Sequence, residues 1–170
     1  MRNNPDMAAI GTCELRLAKP ADARLLARMS RDYIEHGLNW RWRPEQLVRK
    51  IRASETVVLV AELEVGGVRF IGGFAVMDFE HGQEIEKAQL TLLAVHPNIR
   101  RRHIGSQLLR WLHKSARVAG CEHIELQVRS DNQPARRFYQ KFGYQEEALI
   151  PGYYDGKLSA YQMKLRLRGH

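Results

Sequence analysis

The chain is poor in cysteine. Its two, Cys13 and Cys121, lack metal-ligand spacing and are too few to build a disulfide framework. It also lacks any apolar run approaching the roughly 18 residues that a membrane-spanning helix requires. Met1 to Asp6 carry no apolar core of the kind a signal peptide needs. The expectation is therefore a cytoplasmic protein with reduced thiols acting as small packing residues, and no membrane partner. Internal repeats and low-complexity stretches are missing, and no run of charge resembles a disordered basic tail. Aromatics are not interleaved with the basic clusters as on single-strand nucleic-acid platforms, and no helix-turn-helix or zinc signature is present, so no nucleic-acid partner is expected. Acidic residues are scarce, 19 against 27 Lys and Arg, which leaves a net charge of +8. That excess points toward an anionic ligand without naming one.

What is present fits one folded unit. At 170 residues with 44% apolar and 27% charged, the chain can bury roughly 70% of its unfolded surface. Residues 1–12 read as a flexible leader and 13–168 as a single domain. Alternation over 14–17 predicts a first strand, and Pro20 and Asp22 open a helix with apolar Leu25, Leu26, Met29, Tyr33 and Ile34 at helical spacing. A second helix is predicted from Pro44 to Ala53, after a loop bearing Trp40 and Trp42. Strands follow over 56–63 and 68–79 around Gly66-Gly67, and then over 85–95. A helix over 104–119 with Leu108, Leu109, Leu112 and Ala116 on one face ends at Gly120. A strand over 123–128, a helix over 133–141 and strands over 144–149 and 158–167 complete the chain. This order predicts an α+β fold: a mixed, mostly antiparallel sheet with a central parallel strand–helix–strand crossover and helices on both faces.

Between the strand ending at Val95 and the helix starting at Ile104 lies His96-Pro97-Asn98-Ile99-Arg100-Arg101-Arg102-His103. A basic, glycine-containing turn that runs into a helix start is suited to a pyrophosphate. Unpaired backbone N–H groups and the positive helix end face the anion, and arginines add charge. The plainer reading is a basic loop with Gly105 tolerated in the first helical turn.

This segment, together with Asn132-x-x-Ala135-x-x-Phe138-Tyr139-x-x-Phe142-Gly143-Tyr144, resembles the two core motifs of the GCN5-related N-acetyltransferase (GNAT) superfamily over about 85–145. The resemblance implies acetyl-CoA as cosubstrate, lying where the two parallel strands part. It implies that the main chain of Leu93, Ala94 and Val95 holds the pantetheine arm and thioester, and that Arg100, Arg101, Arg102, His103, Ile104, Gly105 and Ser106 wrap the pyrophosphate. Asn132, Ala135 and Tyr139 would complete the cofactor side, with Asn132 doubling as a helix N-cap. The family turn usually has glycine where His103 stands, so the expectation is a working but altered cofactor site.

By the same resemblance Tyr139 is the catalytic acid. A phenol with an ordinary pKa near 10 can give a proton to the departing thiolate. By periodicity alone it is a packing residue. For the base there are several candidates. In ribosomal-protein N-terminal acetyltransferases, which the core resembles, a glutamate stands where this chain has Gln127. Glu125, two residues earlier on the same strand face, is the candidate base, with Glu84 and Glu86 as water-linked alternatives. No Ser-His-Asp or activated cysteine arrangement argues for an acyl-enzyme, so direct attack by a primary amine in a ternary complex is expected. The alternative is a CoA-binding module with little turnover. Tyr153 and Tyr154 resemble the substrate-gripping tyrosines of N-terminal acetyltransferases. Trp40 and Trp42 either wall the acceptor side or pin their loop to the core. The acceptor is a small amine or a protein N-terminus, and the protein a monomer or homodimer.

Overall fold

A computed structural model describes residues 10–82, 86–100 and 102–167. Seven strands form one sheet in the order β1-β2-β3-β4-β5-β7-β6. They are β1 (Ile10–Leu17), β2 (Thr56–Val65), β3 (Val68–His81), β4 (Glu86–Val95), β5 (His123–Arg129), β6 (Gln145–Tyr154) and β7 (Leu158–Arg166). Only β4 and β5 pair in parallel; the other described pairs are antiparallel. The helices are α1 (Ala23–Met29), α2 (Pro44–Arg52), α3 (Ile104–Val118) and α4 (Gln133–Lys141). The mixed sheet with one parallel crossover matches the sequence-based expectation.

Period-two alternation distributes the apolar side chains between two cores. Val58, Val60, Phe74 and Val76 face α1 and α2, packing with Leu26, Ala27 and Leu47. Leu59, Ala61, Ala75 and Met77 face the other way, against Leu108, Leu109, Leu112 and Ala116 of α3. Each buried leucine of that stripe is worth about 2–5 kcal/mol on truncation to alanine. The β2–β3 turn is two residues, Gly66 and Gly67, both at positive φ, as a tight hairpin requires.

Some sequence-based expectations need correcting. The first strand begins at Ile10, so the leader as read over 1–12 overlaps β1. The first helix is interrupted: a 3-10 turn (Pro20–Asp22) precedes α1, and a π-helical turn (Ser30–Ile34) continues it. Leu25 is exposed, because α1 buries Ala23, Leu26 and Ala27 instead. The strand after α4 runs to Tyr154, five residues beyond the expected end, because pairing with β7 extends to Tyr154↔Leu158.

Candidate active site

The site begins with a fault in β4. Leu90 and Leu92 are two residues apart and should share a sheet face, yet Leu90 lies in the α3 core and Leu92 in the α1–α2 core. The register against β3 slips at this point: Met77 pairs with Leu90 and Val76 with Leu92, leaving Thr91 as the extra residue of a bulge. A bulge bends its strand and increases the local twist. Parallel pairing with β5 stops at the same place, with Leu90↔Leu126 as the last partners. β4 runs on to Val95 and β5 to Arg129, so the two strands part. Beyond Leu90, β4 presents a backbone edge with no strand partner on the β5 side among the described residues. Leu93, Ala94 and Val95 lie on this stretch.

The Thr91 hydroxyl anchors the bulge by donating to Asp78 Oδ2 at 2.6 Å. Asp78 also accepts from Thr56 and from Lys50, each at 2.7 Å. Burial alone would raise the Asp78 carboxyl, but the hydrogen bonds from Lys50, Thr91 and Thr56 outweigh it and hold the group below its ordinary range.

The basic turn follows. A 3-10 turn (Pro97–Ile99) drives Ile99 into the core, and Arg100 Nε donates to the Val95 carbonyl at 3.3 Å. His103 is the N-cap of α3 with φ 60 and ψ 20, the left-handed conformation that glycine adopts without strain. Its side chain is exposed and makes no cap hydrogen bond. The first-turn amides of Ile104, Gly105 and Ser106 consequently have no acceptor among the described residues, while Gln107 N–H already bonds His103 O. This uncapped start of a 15-residue helix suits an anion. Arg101 lies outside the described residues.

Two further segments meet this turn. A Cβ built on Gly105 would contact Phe138 of α4 at 3.4 Å and Val95 of β4 at 3.7 Å. The end of β4, the start of α3 and the middle of α4 thus converge on one spot. Asn132 caps α4, its Oδ1 accepting from Ala135 N–H at 3.2 Å. Tyr139 is buried, stacked edge-on against Phe138 and Tyr144, and its hydroxyl has no hydrogen-bond partner among the described residues. Burial pushes its pKa well above the usual phenol value, with Tyr154 adding to the shift, so it stays protonated at neutral pH.

The face of β5 opposite α3 carries the groups considered as bases. Glu125 sits beside Gln89, inside the paired part of the strands and short of the opening. Its carboxylate is shared by His123 Nε2 at 3.0 Å, Lys87 Nζ at 3.4 Å and Lys164 Nζ at 3.6 Å. Burial would raise it, but Lys87 and His123 more than offset that and hold it below the ordinary carboxylate range. A carboxylate stabilised as an anion is a poor proton acceptor, and this weighs against Glu125 as the base. Glu84 is outside the described residues, and Glu86 lies at the far end of β4 beside His81.

Sequence reasoning missed the amide row beside it. Gln89 Nε2 donates to Gln127 Oε1 at 2.6 Å, and Gln127 Nε2 donates to Gln162 Oε1 at 3.3 Å. Parallel pairing of β4 with β5 and period-two alternation were enough to align the first pair. The third needed the crossing of β7 between β5 and β6.

The expected acceptor side is built from a loop and a hairpin. Glu35 is buried and holds residues 41–42, accepting from Arg41 N–H at 2.7 Å, Trp42 N–H at 3.2 Å and Ser30 Oγ at 2.8 Å. Asn39 N–H donates to Asp155 of the β6–β7 turn at 2.8 Å, and Arg129 donates to the His36 carbonyl at 2.8 Å. Tyr153 and Tyr154 stack edge-on at 4.9 Å beside this junction, with Tyr153 exposed. Trp40 and Trp42 are partly buried against the α1–α2 core.

Residues 24–144 match the family model described as Acetyltransferase (GNAT) family, and the chain belongs to that family. An uncharacterized N-acetyltransferase of Methanocaldococcus jannaschii is 38% identical over 97 residues, 56% of this chain and 57% of that protein. The chain therefore spans little more than half the length of that relative. An N-alpha-acetyltransferase of Sulfurisphaera tokodaii is 29% identical over 121 residues, 68% of this chain and 72% of the relative. Among solved structures, Arabidopsis thaliana NAA60 in complex with acetyl-CoA superposes with a TM-score of 0.80. It is 19% identical and covers 93% of this chain and all of its own, a likeness of fold.

Proposed function

We propose that this chain is an acetyl-CoA-dependent N-acetyltransferase acting on a primary amine by direct attack in a ternary complex. The observation that carries the reading is the coincidence of three features at one place. Strand pairing ends at Leu90–Leu126, α3 starts without a side-chain cap from His103, and Phe138 and Val95 close on Gly105 beside them. The relatives named as N-acetyltransferases support the same reaction.

Acetyl-CoA fits what these residues leave open. The free β4 edge at Leu93, Ala94 and Val95 would hold an extended amide-bearing arm, and the amides of Ile104, Gly105 and Ser106 would hold its diphosphate. Arg100, Arg102 and the exposed His103 flank the turn, while Asn132 and Ala135 border it from α4. When bound, the cosubstrate supplies an acetyl group activated as a thioester. The chain's own contribution is then orientation and proton control. Tyr139 holds a proton at its hydroxyl for the leaving sulfur, and burial keeps that proton in place until the sulfur becomes basic. Neither cysteine competes as a nucleophile, since burial raises both thiols.

The acceptor class follows from the lack of a strong base at the Gln89–Gln127–Gln162 row. An α-amine with pKa near 7.8 is about one-seventh neutral at pH 7, whereas a lysine amine near 10.4 is neutral about once in several thousand. An amide row that takes no proton suits the first. The reading is an α-amino group, on a protein N-terminus or a small molecule, working in a reducing cytoplasm. Thiol release from acetyl-CoA across a panel of N-terminal peptides, lysine and small amines tests it. Turnover highest with α-amines is expected. CoA binding without thiol release from any amine would leave a binding module instead, the outcome that His103 and Gln127 together would favour.

A further inference from the structure

Some of the chain's lysines and arginines are paired with nearby carboxylates. Arg16 pairs with Asp22, Lys50 with Asp78, Arg136 with Glu146, and Lys164 with Glu125 and Glu147. A different arrangement surrounds Trp40. Arg24, Arg28 and Arg31, with Trp40 and Pro44, line an open cleft of about 380 Å³ on the outer side of α1. Arg24 and Arg28 stand one helical turn apart, a rise of about 6 Å, and Arg31 follows on the π-turn. Arg31 and Arg43 both lie over the Trp40 ring, at 5.4 and 5.1 Å from its centroid. Asp32 pairs with Arg31 at 2.8 Å and also feels the Arg28 charge, while Arg24 and Arg43 have no carboxylate within 4 Å among the described residues.

Holding like charges together is unfavourable unless something anionic joins them. Here the ring of Trp40 gathers two guanidiniums, a cation–π arrangement that holds them without discharging them. Guanidinium forks fit carboxylates in a bidentate way, and the open cleft is larger than a single ion fills. We propose that this arginine cleft docks an acidic segment of polypeptide. In an extended chain alternate side chains on one face repeat every 6.6 Å or so, close to the Arg24–Arg28 rise. A nucleic-acid strand fits less well, because Trp40 is committed to guanidiniums rather than left free to stack a base. None of the cleft's lining residues belongs to the diphosphate turn. The cleft's loop (residues 35–43) also forms the junction with the β6–β7 turn, which places a docked chain beside the acceptor side.

The test is fluorescence anisotropy of a labelled peptide alternating Glu and Ser, titrated with the full chain at low salt. Binding is expected, with roughly tenfold weaker affinity for the Arg24→Glu/Arg28→Glu variant and unchanged CoA affinity in that variant, which also reports intact folding. Arg24→Lys/Arg28→Lys, which keeps charge but loses the fork, should fall between. The proposal is overturned by absence of peptide binding to the wild type, by equal binding to the charge-reversal variant, or by displacement of the peptide with CoA. It is equally overturned if an oligouridylate or an anionic lipid vesicle binds through these arginines more tightly than the peptide. Because CoA binding is measured separately, failure here leaves the acetyltransferase reading standing.

Discussion

His113 Nε2 lies 2.9 Å from the hydroxyl oxygen of Tyr144, both groups buried, with the Tyr144 ring edge-on to that of Tyr139. Burial, aided by the Arg117 charge, lowers the imidazole to about 4, against an ordinary 6.5. Between those values the unfolded chain binds a proton that the native one refuses. Stability is therefore full above about pH 6.5 and is lost as pH falls toward 4. From about pH 7 to about pH 5 this one group accounts for about 2 kcal/mol. Urea midpoints at both pH values should show that loss in the wild type and a smaller pH dependence in His113→Gln. An identical pH dependence in the two proteins would remove His113 from the account.

Tyr139→Phe keeps the packing against Phe138 and Tyr144 but removes the proton. Turnover should fall roughly ten- to a thousandfold with the acetyl-CoA dissociation constant nearly unchanged, a kcat effect without a binding effect. Unaltered kcat would retire the proton-donor role.

Gly105 separates a packing role from a phosphate role. The space above it is ordinary contact distance from Phe138 and Val95, so Gly105→Ala should fold and bind CoA. Gly105→Glu brings a longer side chain and a negative charge to the uncapped amides, and CoA affinity should fall at least roughly tenfold. Equal affinity in the Glu variant would mean that the diphosphate sits elsewhere.

The order of strands, the crossover and the helix faces were legible because each rests on local periodicity. Leu108, Leu109, Leu112 and Ala116 show why: their 3.6-residue spacing alone puts them on one face, and all are buried. What the sequence did not disclose came from long-range pairing. The bulge at Thr91 depends on register against β3, and the anchoring of its hydroxyl by Asp78 joins residues 13 apart in sequence. The left-handed backbone at His103 was legible only through the glycine usual at that position of the resembled motif, not from local periodicity. At the candidate base, sequence proximity put Glu125 on the β5 face opposite α3 but could not reveal Lys87 and Lys164, which arrive from neighbouring strands.

That crowding by cations gives a direct check. Glu125→Gln should cost about 1 kcal/mol in stability, since Lys87 and Lys164 lose a shared carboxylate, while kcat stays within about threefold. A tenfold or greater loss of kcat at unchanged KM would restore Glu125 as the proton acceptor.

Gln127→Glu asks the complementary question. The substitution places a carboxylate against Gln89, with the Gln162 amide on its other side, in a row that is neutral as it stands. Gln162 Oε1, which accepts from Gln127 now, would need its amide rotated to donate, a rearrangement within a partly exposed strand face. The new group can take the proton that an ammonium acceptor must lose, so the gain should be largest for the most basic amines. The ratio of kcat/KM for lysine over an N-terminal peptide should therefore rise, and more steeply below neutral pH than above it. Both substrates gaining equally would mean that the introduced carboxylate acts by binding cationic acceptors. A loss for both would show that the amide row itself orients the amine, with the proton leaving to solvent by another path.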